Sequence, residues 1–327
     1  ASADIEVGGT IKDGKGNTGI EIRATLPRLS IKGCNYNDIR ILGKLRGKTL
    51  SIEAAVPEDD GDMHGEFSLV LAPTLHFTGK AIASGFPTEK LGLENIYPQA
   101  RMSLCTDIML SGSNIDDISG ELKLSDYTVE TSGGDTVIDH LDVLALNTNV
   151  NGTGIRTIEI SSTPLNISAQ GRFKFSTMAG TVQNILHQKI PNLIPYKKIR
   201  TQADSVSFAA EIQDTVLLNR FTKAKIYIPQ KATISGAIYG YDSVGVHAHI
   251  PSLHVNNEDL RNCTLKIRGT SQILTAHLTT ERRQKHGFVD FSLKANAYDN
   301  KLRVIAGLDN KRKPRIFGTP ANSAIFS

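Results

Sequence analysis

The chain has 327 residues, with 37 basic side chains against 33 acidic ones, no Trp, and aromatic residues at 6%. Charge this evenly balanced argues against a nucleic-acid binder working through a basic surface. The scarcity of rings removes the stacking platforms that single strands and sugars use. Cys34, Cys105 and Cys263 lie far apart and form no CxxC pair, so they are expected as half-buried strand thiols rather than a disulfide framework. No stretch reaches the ~20 apolar residues of a membrane span. No leader is visible, and a chain that starts at Ala1 reads as a mature product or a fragment.

Taken in order, the elements are strands divided by turns. Gly9-Thr10-Ile11 opens a strand before the turn cluster Asp13-Gly14-Lys15-Gly16-Asn17, and Ser51 to Val56 alternates ahead of Asp59-Asp60-Gly61-Asp62. A short helical turn is expected from Pro87 through Leu91. Ser132-Gly133-Gly134-Asp135 and Asn151-Gly152-Thr153-Gly154 mark further turns. Ser176 is the expected N-cap of an amphipathic helix, with Met178, Val182, Ile185, Leu186 and Ile190 on one face and Pro191 at its end. Beyond it, Val206 to Ile212, Val244 to Ile250 and Val289 to Ala297 alternate with period two, which puts one side of each strand on an apolar face and the other in water. The fold class is therefore all-β: an extended antiparallel sheet of on the order of 20 strands, curled into a hydrophobic groove, with one or two short amphipathic helices that plug or gate it.

The elements recur. Pro73, Gly79 and Tyr97-Pro98 line up with Pro164, Gly171 and Ile190-Pro191. Ile118-Ser119-Gly120 matches Ile234-Ser235-Gly236. Ala24-Thr25-Leu26-Pro27-Arg28-Leu29 matches Ala248-His249-Ile250-Pro251-Ser252-Leu253, and Lys44-Leu45-Arg46-Gly47 echoes Lys266-Ile267-Arg268-Gly269. The chain reads as one continuous segment, 1–327, with approximate repeats at 9–119, 120–235 and 236–327. Repeats sharing a sheet bury a face that no copy buries alone.

Catalytic signatures are missing: there is no P-loop, no dinucleotide-type GxGxxG and no GxSxG elbow. The acid pairs Asp59-Asp60 and Asp116-Asp117 are expected in solvated turns, because neighbouring strand residues point to opposite faces. His247 and His249 share a face with His254 near in sequence, and exposed strand histidines are the expected reading over a Zn²⁺ site. The basic clusters at Lys197-Lys198-Ile199-Arg200, Arg282-Arg283 and Lys311-Arg312-Lys313 read as solvated charge, with contact to anionic headgroups as the alternative. No enzyme activity, cofactor, metal or nucleic acid is expected.

What remains is the apolar face, represented by Val206, Phe208, Ala210, Ile226, Ile228, Val244, Val246, Ala248, Ile250, Val289, Phe291, Leu293 and Ala295. Either it packs on a second sheet as a closed core, or it lines an open trough for acyl chains, which gain about 0.8 kcal/mol per buried CH₂.

The serial units carry a resemblance. The Ile-Ser-Gly strand starts, Ser162-Thr163-Pro164 leading through an apolar strand to Gly171, and the helix that interrupts the sheet from Ser176 to Ile190 resemble the TamB/AsmA-like superfamily, in particular the TamB-type translocation and assembly module subunit. The resemblance covers the whole chain and brings no catalytic residues. It implies a central part of a periplasmic β-groove from an inner-membrane-anchored envelope protein of a Gram-negative bacterium. It further implies phospholipid acyl chains as cargo, inter-membrane lipid transport, support of outer-membrane protein assembly, and a BamA-superfamily barrel as partner through the parent protein. Two rivals stand beside it: a structural or adhesive β-solenoid, and a β-rich carbohydrate-active enzyme, which would need converging carboxylates and aromatic sugar platforms.

Overall fold

A computed structural model describes residues 2–11, 18–31, 34–58, 61–199, 204–216, 219, 226–241, 243–256, 258–284, 287–309 and 323–326. These residues form strands almost throughout, with one α-helix among them. They divide into two compact units, residues 1–149 with 160–163, and residues 150–159 with 164–327.

The first unit runs through β1 (Ser2–Ile11), β2 (Thr18–Ile31), β3 (Cys34–Arg46), β4 (Thr49–Glu58), β5 (Gly61–Val70), β6 (Leu75–Pro87), β7 (Ala100–Gly112), β8 (Ser119–Thr131) and β9 (Val137–Val150). Each strand pairs antiparallel with the next, so this unit is a simple meander. Tight turns suit that topology: Gly47, at φ 58°, takes the left-handed conformation the β3–β4 turn requires. One connection is longer. Residues 88–99 fold back over the sheet in successive hydrogen-bonded turns, with the Thr88 hydroxyl bonding the carbonyls of Tyr97 (2.7 Å) and Ala100 (2.9 Å). The helical turn expected after Pro87 is thus present, but Gly92 at φ 70° stops it from growing into a helix.

The second unit contains β11 (Leu165–Arg172), α1 (Phe175–His187), β12 (Ser205–Ile212), β13 (Ile226–Tyr227), β14 (Ala232–Tyr239), β15 (Ser243–Val255), β16 (Glu258–Gly269), β17 (Leu274–Gln284), β18 (Gly287–Tyr298), β19 (Lys301–Asp309) and β20 (Ser323–Phe326). The ladder runs β11–β12–β14–β15–β16–β17–β18–β19–β20, antiparallel at every step, and β13 adds a short pairing to β15. A further strand, β10 (Arg156–Ser162), precedes β11 in the chain.

Helix α1 departs from expectation at both ends. It starts one residue before Ser176, its N-cap is Lys174 with no capping side chain, and it stops at His187. The cap comes from elsewhere in sequence. The Asp204 carboxylate, itself buried, accepts hydrogen bonds from the Lys174 N–H (2.9 Å), the Thr177 hydroxyl (2.8 Å) and the Thr181 hydroxyl (2.6 Å). An anion there takes up the backbone N–H of the N-cap residue and favours the helix dipole. The expected single apolar face also divides. Met178 and Ile185 pack inward with Phe173, Val206 and Ile238, whereas Val182 is exposed.

Buried residues gather at the end of each apolar face. In the first unit Ile39, Val56, Ala83 and Phe86 form a cluster with Leu91 of the folded-back connection against it. In the second, Phe173 and α1 cover Val206 and Ile238, joined by Ile158 of β10.

Candidate functional site

Ladder register decides which side chains share a face, since residues directly opposite each other point the same way. In the first unit Ile22, Gly43, Ile52, Phe67, Gly79, Ile108, Leu122 and Leu146 stand opposite one another from β2 to β9. Two residues along, the next row is Ala24, Ile41, Ala54, Gly65, Ala81, Thr106, Leu124 and Leu144. On the other side of the first row lie Ile20, Leu45, Leu50, Leu69, Phe77 and Leu110. No charged side chain enters these rows.

The second unit repeats the arrangement. Val206, Ile238 and Val244 share a row. Phe208, Gly236, Val246, Ile267, Ala276, Ala295 and Val304 share the next, followed by Ala210, Ile234, Ala248, Leu265, Leu278, Leu293 and Ala306. A fourth row holds Ile212, Ala232, Ile250, Cys263, Thr280, Phe291 and Leu308. Cys263 is buried and donates to or accepts from the Thr280 hydroxyl at 3.0 Å, and burial pushes its thiol pKa up. Of the thirteen residues read from sequence, Val206, Phe208, Ala210, Val244, Val246, Ala248, Ile250, Phe291, Leu293 and Ala295 fall in these rows. Val289 lies on the same side of β18, opposite Arg282. Ile226 and Ile228 lie apart from them. Ile226 pairs with Val255 at the far end of β15, and Ile228 is buried just past β13.

The faces are only partly covered. Beneath the end clusters the side chains are buried, but most row residues between them are half-buried, and Ile20 and Ile22 are 44% and 41% exposed. A closed sandwich would bury such a face at crystal-like density.

Glycines shape this surface. Phe67 lies flat over Gly79, where an added Cβ would come 2.4 Å from the ring, and over Gly65, where it would come 2.8 Å. Phe77 stacks on Phe67 with centroids 5.8 Å apart. Phe208 lies over Gly236 in the same way. A ring lying down presents its thickness rather than its length, which keeps the apolar floor low.

The opposite face is polar. Arg23, Leu42, Glu53, Glu66, Lys80, Asp107 and Lys123 form a cross-strand row from β2 to β8, with Lys44 3.9 Å from Glu53. Two concavities lie on this face of the first unit. One of about 600 Å³ is lined by Glu53, Glu66, Lys80, Asp107, Glu121 and Lys123, and one of about 400 Å³ by Arg23, Arg40, Glu53, His64 and Glu66. They carry mixed charge, and no group of three or more His, Cys, Asp or Glu among the described residues is placed to hold a metal. His247 and His249 stand exposed on the polar face of β15. His254 instead bonds the Asp259 carboxylate, whose pKa is held down by that bond and by Arg283. Asp117 caps a turn by accepting the Asn114 and Ser113 N–H groups, which lowers its pKa, and Asp59-Asp60 lie outside the described residues. Cys105 and Cys263 are free thiols.

Comparison with known proteins finds no counterpart: no family model, no curated protein and no solved structure matches the chain.

Proposed function

We propose that this chain is a non-enzymatic segment that shields phospholipid acyl chains along the apolar faces of its sheets. By the resemblance set out from its sequence, it would act in the periplasm as part of an inner-membrane-anchored bridge. Its lipid would pass towards an outer membrane where a BamA-superfamily barrel is the partner, and it would support outer-membrane protein assembly there. One observation carries the reading: aliphatic rows several strands wide, free of charge, lie half-exposed where a closed core would bury them. Flexible acyl chains match such a surface, because each CH₂ removed from water contributes about 0.8 kcal/mol and no directional partner is needed. The antiparallel ladders argue against a β-solenoid, whose coils stack parallel strands. The mixed charge of the polar concavities, where Lys80 and Lys123 lie among the carboxylates, argues against a glycosidase.

The test is titration of the purified chain with a fluorescent phospholipid below its micellar concentration. Saturable binding, competed by unlabelled phospholipid and not by a soluble headgroup such as glycerophosphate, supports the reading. Non-saturable partition, or competition by the headgroup alone, counts against it.

A further inference from the structure

The segment that carries α1 has an unusual charge pattern. Residues 160–203 contain six basic residues and no Asp or Glu, in a chain otherwise close to charge balance. Within it α1 contains no Asp, Glu, Lys or Arg, and it is preceded by Lys174, where a basic residue opposes the helix dipole.

The helix is held from two sides. Its inner side packs on Phe173, Val206 and Ile238 and is pinned by Asp204. A second side is covered by the returning arm, residues 193–199. Gln183 Nε2 donates to the Pro195 carbonyl (2.7 Å), Asn184 exchanges bonds with the Lys197 backbone (2.8 and 2.7 Å), and the Tyr196 ring meets His187 at 5.5 Å. Beyond the helix, Lys189 Nζ donates to the Ser271 carbonyl (2.6 Å) and the Asn300 N–H to the Lys189 carbonyl (2.8 Å), tying the strap to two turns of the sheet.

The third side should be polar if it only meets water. It is not. Phe175, Ala179, Val182 and Leu186 follow one another at i, i+4, i+7 and i+11, so they form one stripe. Phe175 is 41% and Val182 42% exposed. On the arm Leu193 and Tyr196 are exposed as well, and Arg172, Lys174, Lys197 and Lys198 are exposed before and after the helix. Apolar stripe, interfacial tyrosine and acid-free basic flanks are the ingredients of an element that lies in a membrane surface.

We propose that this strap is a docking surface for an anionic phospholipid bilayer, its stripe resting among the headgroups and its lysines pairing with their phosphates. This goes beyond acyl-chain shielding and stands without it, because the contact is made by the strap and not by the sheet face.

Vesicle flotation tests it, using phosphatidylcholine vesicles with and without a third of phosphatidylglycerol, on the full chain. The expected result is binding that needs the anionic lipid, fades with salt, and falls about thirtyfold on neutralising Lys197 and Lys198 together, as two charges near such a surface would give. Folding of K197Q/K198Q is verified by its β-type circular dichroism. A second variant, Tyr196→Trp, places the chain's one Trp on the arm, and its emission should shift to the blue with anionic vesicles. Val246→Asp, on the sheet face, should float like the wild type. Equal flotation with zwitterionic vesicles, an unmoved Trp signal, or loss of flotation in Val246→Asp with retention in K197Q/K198Q would each overturn the proposal. No flotation at all would also overturn it and leave the stripe to a protein partner.

Discussion

Val246→Asp separates an open apolar face from a closed core through stability alone. Val246 stands between Gly236 of β14 and Ile267 of β16, with Phe208 lying over that glycine, and it is half-buried. Burying a valine fully contributes roughly 1.5–2 kcal/mol, so losing a half-buried one costs about 1 kcal/mol. An aspartate facing an uncovered surface keeps its hydration and stays ionised. The expected total is therefore about 1–2 kcal/mol. In a closed core the same carboxylate would have to be buried without a partner, at a cost of several kcal/mol. Urea unfolding followed by far-ultraviolet circular dichroism measures the difference, read as a shift in midpoint at constant slope. A loss above about 4 kcal/mol, or failure to fold, would refute the reasoning.

Three further outcomes follow from the geometry. Gly79→Ala should lift Phe67 from the sheet and destabilise by about 1–3 kcal/mol, and Phe67→Leu in the same chain should restore most of the loss in a double-mutant cycle. Asp204→Ala removes the acceptor of Lys174, Thr177 and Thr181; it should cost about 2 kcal/mol or more and speed proteolysis within residues 188–199. Lys189 is buried, and desolvation lowers its pKa below 10.5. The unfolded chain then holds that proton more tightly, so stability should rise with pH from the lowered value up to 10.5, and Lys189→Met should remove this rise. Unfolding midpoints measured across the alkaline range check it.

Much of the fold was legible because a strand announces itself by alternation. Val244 to Ile250 and Val289 to Ala297 alternate cleanly, and ten of the residues they and Val206 to Ala210 supplied share one face. The first unit's rows were harder to see for a physical reason. Gly43, Gly65 and Gly79 occupy apolar-face positions, and a glycine breaks the written pattern even where the Phe67 ring covers it, as at Gly65 and Gly79. Ile226 and Ile228 alternate as well as any, yet β13 is two residues long, pairs beyond Pro251 away from the rows, and ends before Ile228.

Bulges were hidden too. Asp38, Asp126 and Asn262 adopt φ of 53°, 54° and 51° inside strands, a conformation Asp and Asn tolerate better than other side chains. Asp38 and Asn262 each lie eleven residues after a matched proline, Pro27 and Pro251. In the match of Lys44–Gly47 with Lys266–Gly269, Gly47 lies in the β3–β4 turn and Gly269 is the last residue of β16, opposite Leu274. The N-cap of α1 could not be read locally, since its acceptor comes from Asp204, on the far side of the helix in sequence. The polar concavities were equally silent, because they depend on how cross-strand rows of Glu53, Lys80 and Asp107 converge rather than on any local motif.

The most direct test of acyl-chain shielding is a photo-crosslinking amino acid at Val246 or Phe208, followed by mass spectrometry of lipid extracted from, and crosslinked to, the purified chain. The account predicts phospholipid in the extract and covalent adducts through the acyl chain at both positions, with none at His247 on the opposite face. A folded chain that yields no lipid and no adduct at either position would contradict it.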